Sequence, residues 1–257
     1  MKGLLCRRRS AQVSATFSRP LDARLADSNN RFVTDFVLVP GAGGIATPYW
    51  RLVTAQLQRA GHRAVPVDLP GGALDAGLPE YSGLIANAMD DCEEPIVVAQ
   101  SLGGFSAVMA CEQVRARQLV LTNAMVPFPG ETPGSWWEAT GAVEARVAAA
   151  QVGGYDANFD LTTYFLHDLS ATDAAAVLAN PGYEADIVFG QPCDIKSWPD
   201  VPTSAVVGRD DRFFPLAFQQ QLLRERLGVS PTVIAGGHLV ALANPGGLSE
   251  VLLSIAG

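Results

Sequence analysis

Pro95-Ile96-Val97-Val98-Ala99 runs directly into Gln100-Ser101-Leu102-Gly103-Gly104. A short apolar run bounded by proline is the pattern of a strand buried on both faces. Leu102–Val114 is patterned as a helix, so a serine stands on a strand-to-helix corner among small residues. The G-x-S-x-G elbow is built this way: the turn is sharp and strained, its hydroxyl projects from the carboxyl edge of a sheet, and large neighbours would collide. Ala99 stands where the first glycine would be, a small change that leaves the turn sterically possible. Ser101 is therefore the candidate nucleophile.

The same alternation extends in both directions. Upstream, Phe36-Val37-Leu38-Val39 is a buried-strand run ended by Pro40-Gly41-Ala42-Gly43-Gly44. Thr47-Pro48 supplies a helix N-cap and a proline for the first helical position, and Tyr49–Ala60 reads as a helix stopped by Gly61. Ala64–Asp68 is a strand and Glu80–Asp90 a helix. Downstream, Gln118–Thr122, Thr203–Val207 and Thr232–Ala235 are strands, with a helix across Leu216–Leu227. The fold class predicted is α/β, with a mostly parallel sheet of about six strands covered by helices on both sides. No internal repeat interrupts it.

About 75–80 residues between Thr122 and Thr203 lack a clear strand, too many for a structureless loop inside a compact domain. Glu138–Gln151 and Thr172–Ala179 favour helix. The domain reading is a core of 32–123 and 199–257 with a helical lid inserted at 124–198. Trp136, Trp137, Phe159 and Phe165 in that insert suggest a mostly apolar pocket, with His167 and Leu239 as further lining candidates. The competing reading for most of these aromatics is the packing core of the lid itself.

Composition excludes several classes. The 257 residues are 48% hydrophobic, with 18 Lys+Arg against 26 Asp+Glu and a net charge of −8. That balance argues against a nucleic-acid partner, which needs a basic face. No run of about 18 uninterrupted apolar residues suggests a membrane span. Cys6, Cys92, Cys111 and Cys193 are widely spaced and show no metal-ligand pattern, so free thiols and a cytoplasmic location are expected, without metal or cofactor. Residues 1–31 are basic and read as a flexible tail in preference to a transit peptide or a twin-arginine signal.

A serine nucleophile needs a base and a group to orient it. Of the three histidines, His62 follows a helix stop and His167 lies in the insert beside Asp168. His238 follows the last strand, where a loop can reach the carboxyl edge of the sheet. The orienting carboxylate belongs on a neighbouring exit loop, and Val206–Pro215 offers Asp210 and Asp211. Either choice produces the chain order Ser…Asp…His. For the oxyanion, the backbone N–H of Leu102 is one donor, and the glycine-rich Pro40–Gly44 loop should supply the other. That loop lacks the lysine and the spacing of a phosphate cradle.

These residues together resemble the α/β-hydrolase superfamily from about Phe36 to the C-terminus, and within it the small esterase group that holds plant methyl esterases and hydroxynitrile lyases. The resemblance implies Ala42 as the second oxyanion donor, because Pro40-Gly41-Ala42 occupies the position of the group's His-Gly-x loop. It implies Asp211 as the acid, since Gly208, Asp211 and Pro215 match the group's spacing, and His238 as the base. Pro40 departs from the usual histidine. Gly41 and Leu239 replace the threonine and lysine of the lyases, so cyanohydrin cleavage is not expected. Ser101 excludes the aspartate-nucleophile dehalogenases and epoxide hydrolases. The expected function is hydrolysis of a carboxylic ester with an apolar acyl or alcohol part. Lactone, thioester or C–C bond hydrolysis, and a hydrolase-fold receptor with negligible turnover, are the alternatives.

Overall fold

The computed structural model describes residues 33–257 of the chain. The basic stretch read as a tail, and Cys6 within it, lie outside the described residues. Six parallel strands form one sheet: β1 (Asp35–Val39), β2 (Arg63–Pro66), β3 (Ile96–Gln100), β4 (Gln118–Thr122), β5 (Thr203–Gly208) and β6 (Thr232–Ile234). Their order is β2-β1-β3-β4-β5-β6. The chain reverses direction across the sheet between β1 and β3, and ligands of open α/β sheets bind in the crevice outside such a switch point. The exit loops of these two strands are Pro40–Gly44 and the corner at Ser101.

The helices explain why the strands are apolar on both faces. They are α1 (Ala46–Arg59), α2 (Leu78–Asp90), α3 (Gly103–Gln113), α4 (Pro133–Thr140), α5 (Ala142–Gly153), α6 (Ala171–Ala179), α7 (Ile187–Gly190), α8 (Leu216–Leu227), α9 (Val240–Ala243) and α10 (Pro245–Ala256). Side chains alternate across a strand. Val37, Val97, Leu119 and Val207 pack with Ile85 of α2, Phe105 of α3 and Leu222 of α8. Phe36, Val98, Val120 and Val206 pack with Trp50 of α1, Leu242 of α9 and Leu252 of α10. Two cores thus sandwich the sheet.

Two local expectations are corrected. Helix α1 starts at Ala46, one residue before the expected Thr47 cap. Asp68, beyond β2, accepts the Ala46 and Thr47 N–H groups on Oδ1 at 2.7 and 3.0 Å and the Thr47 hydroxyl on Oδ2 at 2.7 Å. A carboxylate from the neighbouring strand's exit therefore satisfies the free helix donors. The helix expected at Glu138–Gln151 is two helices, because left-handed Gly141 (φ 66°) ends α4 and begins α5.

The insert between β4 and β5 holds α4 to α7 and a π-helical turn at Thr162–Leu166, with no strand. Buried Arg226 of α8 pairs with Glu131 at the insert's beginning, donates to the Val126 carbonyl and stacks over Phe128 at 4.4 Å. Trp136 of α4 is fully buried and belongs to the same core as Leu119 of β4 and Val207 of β5.

Candidate active site

Ser101 stands at the end of β3 with φ 50°, a left-handed conformation costing a non-glycine residue about 1–2 kcal/mol. Its neighbours must be small because backbone crowds it. A Cβ on Gly103 would lie 2.3 Å from the Pro40 carbonyl oxygen, and one on Gly104 2.0 Å from that of Met125. A Cβ on Gly41 would lie 2.8 Å from the Ser101 Cβ, so the β1 exit loop abuts the serine itself.

Ser101 Oγ lies 3.1 Å from His238 Nε2, and His238 Nδ1 lies 2.9 Å from Asp211 Oδ2. Asp211 Oδ1 accepts the Phe213 and Phe214 N–H groups at 2.8 and 2.9 Å. The carboxylate is thereby fixed on both oxygens, and all three residues are buried. The alternative acid points elsewhere. Asp210 pairs with Arg209, which is the main cause holding its carboxyl below the usual range, and accepts the Gly236 N–H at 3.2 Å. Three aromatic rings surround the imidazole: Phe165 is stacked at 4.8 Å, with Phe213 and Phe214 at 4.9 and 5.1 Å. Phe165 comes from the π-helical turn, an irregularity often found at functional sites.

Beside the serine, the Leu102 N–H at the start of α3 and the Ala42 N–H make no hydrogen bond among the described residues. Unpaired backbone donors beside a buried serine hydroxyl are a place that can receive developing negative charge. A cavity of about 150 Å³ opens against this loop, lined by Gly41, Ala42, Gln100, Val177, Leu239 and Leu242 among others. Arg51 of α1 and Asp173 of α6, which form an ion pair, also line it. A larger cavity of about 780 Å³ between α5 and α8 includes His167 and Asp211 in its walls; neither Ser101 nor His238 lines either cavity.

The remaining pocket candidates separate. Trp136 offers no surface to a ligand: its indole N–H donates to the Val126 carbonyl at 3.1 Å, and Trp137, Phe214 and Phe218 surround it. Trp137 lies one ring behind the histidine, against Phe213 and Phe214. Phe159 is half-exposed and packs on Phe165 and Phe213. His167 Nε2 lies 3.1 Å from the Asp210 carbonyl oxygen, and Leu239 borders the smaller cavity.

Sequence reasoning missed Asn123, just past β4. It is fully buried with φ 44°, and its side chain bonds to the loop of His238 and to Gly208 at the end of β5, three residues before Asp211. Asparagine tolerates left-handed backbone, which was the available signal at a strand exit.

The alpha/beta hydrolase family model matches residues 36–251. The chain belongs to the alpha/beta hydrolase family. Solved structures of this hydrolase fold align over most of their lengths. An extracellular alpha/beta-hydrolase from a Paenibacillus species, described as sharing structural and functional homology with tobacco salicylic acid binding protein 2, is 19% identical with a TM-score of 0.70; the alignment covers 86% of this chain and 98% of that one. Polyneuridine aldehyde esterase is 19% identical with a TM-score of 0.70, covering 88% and 100%. A pyrethroid hydrolase from Sphingobium faniae is 20% identical with a TM-score of 0.68, covering 88% and 98%. No curated protein sequence matches the chain.

Proposed function

We propose that this hydrolase cleaves carboxylic esters through an acyl-serine at Ser101. The observation that carries the reading is the unbroken relay from Ser101 Oγ to His238 to Asp211, at 3.1 and 2.9 Å. As Ser101 attacks the ester carbonyl, His238 Nε2 takes its proton, and Asp211 holds the tautomer and stabilises the imidazolium. The Ala42 and Leu102 N–H groups receive the oxyanion. Collapse of the tetrahedral intermediate expels the alcohol, which leaves with the proton from His238. Water then attacks the acyl-serine, giving its proton to His238, and Ser101 is released with the carboxylic acid.

Residues 124–198 act in this scheme as a lid that shields the histidine with Phe165. The cavity beside the oxyanion loop takes one apolar arm of the substrate, either acyl or alcohol. A cavity of about 150 Å³ is large enough for a benzene-sized group. The esterase and hydrolase names of the structural relatives support the ester reading.

The test is turnover of p-nitrophenyl esters with acyl groups from acetyl through benzoyl to decanoyl. Loss of turnover in a folded Ser101→Ala variant, and fluorophosphonate labelling confined to Ser101, are expected. Turnover surviving in that variant would overturn the assignment. One equivalent of product without a steady state would favour a receptor, and preference for lactones or thioesters would redirect the substrate class.

A further inference from the structure

The glycine-rich loop after β1 has little intrinsic reason to hold one shape. Three of the five residues in Pro40–Gly44 are glycine, and glycine retains more backbone freedom than any other residue. A hydrogen bond from the Gly44 N–H to the Gly41 carbonyl at 3.2 Å closes a four-residue turn, with Gly43 at φ 88°. Such a bond leaves the middle peptide, between Ala42 and Gly43, able to flip. That peptide adjoins the Ala42 N–H.

A carboxylate from the insert takes hold of it. Glu184 Oε2 accepts the Gly43 N–H at 2.7 Å, and Oε1 accepts the Tyr81 hydroxyl of α2 at 2.6 Å. The segment between α6 and α7 lies backbone-to-backbone on the loop. A Cβ on Gly43 would come within 3.1 Å of the Gly182 Cα, and one on Gly71 within 2.7 Å of the Tyr183 carbonyl oxygen. The Ala185 N–H donates to the Gly71 carbonyl at 2.8 Å.

We propose that Glu184 is a positioning residue for the oxyanion loop, so that docking of the insert on the core and orientation of the Ala42 donor are one event. This inference rests on the serine-hydrolase reading. Burial opposes ionisation of Glu184, while the Tyr81 and Gly43 donors favour it. The carboxylate thus depends on the two contacts that define its role. It reaches the reaction through the loop and touches no reacting atom.

The experiment compares Glu184→Ala and Glu184→Gln in the full chain. Removing an oxyanion donor outright costs about 10²–10³ in kcat; a donor left in place but loosened should cost less, about 10-fold to 10²-fold in Glu184→Ala, with KM changed by less than about threefold. Affinity for a trifluoromethyl ketone, which forms the tetrahedral oxyanion, should fall with kcat. Affinity for the product acid should not. Glu184→Gln retains an acceptor for the Gly43 N–H and should recover most of the loss. If Glu184→Ala folds poorly, Tyr81→Phe loosens the same carboxylate from its other side and should lower kcat by about threefold to tenfold, since one of two restraining hydrogen bonds is gone. A folded Glu184→Ala or Tyr81→Phe enzyme with unchanged kcat and inhibitor affinity overturns the inference. If Ser101→Ala retains turnover, it is the serine-hydrolase reading that fails instead.

Discussion

The Nδ2 group of Asn123 donates to the His238 carbonyl oxygen at 3.0 Å and to that of Gly237 at 2.9 Å. Its Oδ1 accepts the Gly208 N–H at 2.7 Å. One buried side chain at the exit of β4 therefore ties the end of β5, three residues before Asp211, to the loop that carries the histidine. His238 and Asp211 are spaced by this bridge as well as by their own hydrogen bond.

Removing the bridge should affect catalysis and stability separately. Asn123→Gly keeps a backbone that accepts φ 44° but takes this partner from the Gly237 carbonyl and the Gly208 N–H, and leaves the His238 carbonyl with the Gln100 amide at 3.3 Å. Misplacement of a reacting group by about 1 Å can cost 10²-fold, so kcat should fall by about 10-fold to 10²-fold. Each buried polar group left unsatisfied costs about 1–3 kcal/mol, which urea denaturation should register. Asn123→Ala should be less stable than Asn123→Gly by about 1 kcal/mol, because alanine resists the left-handed conformation. Alanine proving the more stable of the two would show that the backbone strain carries no weight.

Asp211 and Asp210 are adjacent and chemically identical, yet their substitutions should differ by orders of magnitude. Asp211→Asn leaves His238 Nδ1 without a carboxylate and disturbs its tautomer, for which a loss of about 10³–10⁴ in kcat is expected. Asp210→Asn breaks a solvent-exposed pair with Arg209 and weakens the bond to Gly236. Exposed pairs contribute about 0–1 kcal/mol, so kcat should change by no more than about fivefold. Steady-state kinetics on one activated ester checks both, and equal effects would remove the structural distinction between them.

The two buried cysteines, Cys111 and Cys193, should be unreactive in the native protein. Burial pushes the Cys111 and Cys193 thiols up to about 12, and raises that of the half-buried Cys92. The thiolate is the nucleophile, and a thiol with a pKa of about 12 is ionised at only about one part in 10⁴ at pH 8. Disulfide-reagent titration should find Cys111 and Cys193 silent until denaturant is added. The linkage has a definite sign. Folded values above the ordinary 9.0 mean that the unfolded chain releases these protons first, so stability is fully present below about pH 9 and is lost as pH rises toward about 12. Thermal melts across that range should show a falling midpoint, smaller in Cys111→Ala. Rapid native labelling of Cys111 or Cys193 would contradict the burial argument.

Ile96–Ala99, Phe36–Val39 and Gln118–Thr122 were legible as strands because a continuous apolar run states its own burial. The Ser101 corner was legible because backbone crowding demands small residues on either side of it. Asp211 rather than Asp210 followed from its spacing to Gly208 and Pro215 through the family resemblance, and the structure turns that side chain to His238. The break at Gly141 was harder to read, since a glycine within a helical pattern can be either a tolerated residue or a stop.

The sequence alone determined the alternation of strand and helix, the candidate serine and the loops from which its partners come, since these depend on periodicity and turn chemistry within a few neighbouring residues. Tertiary structure alone decided that Trp136 is core while Phe165 stacks on His238, that Asp68 caps a helix it does not belong to, and that Asn123 and Glu184 hydrogen-bond to loops beside Ser101 and His238. Each is a contact between segments far apart in the chain. Local pattern carries the tendency of a residue to be buried or to bend the backbone, but the partner it meets is set by how the sheet and the insert pack.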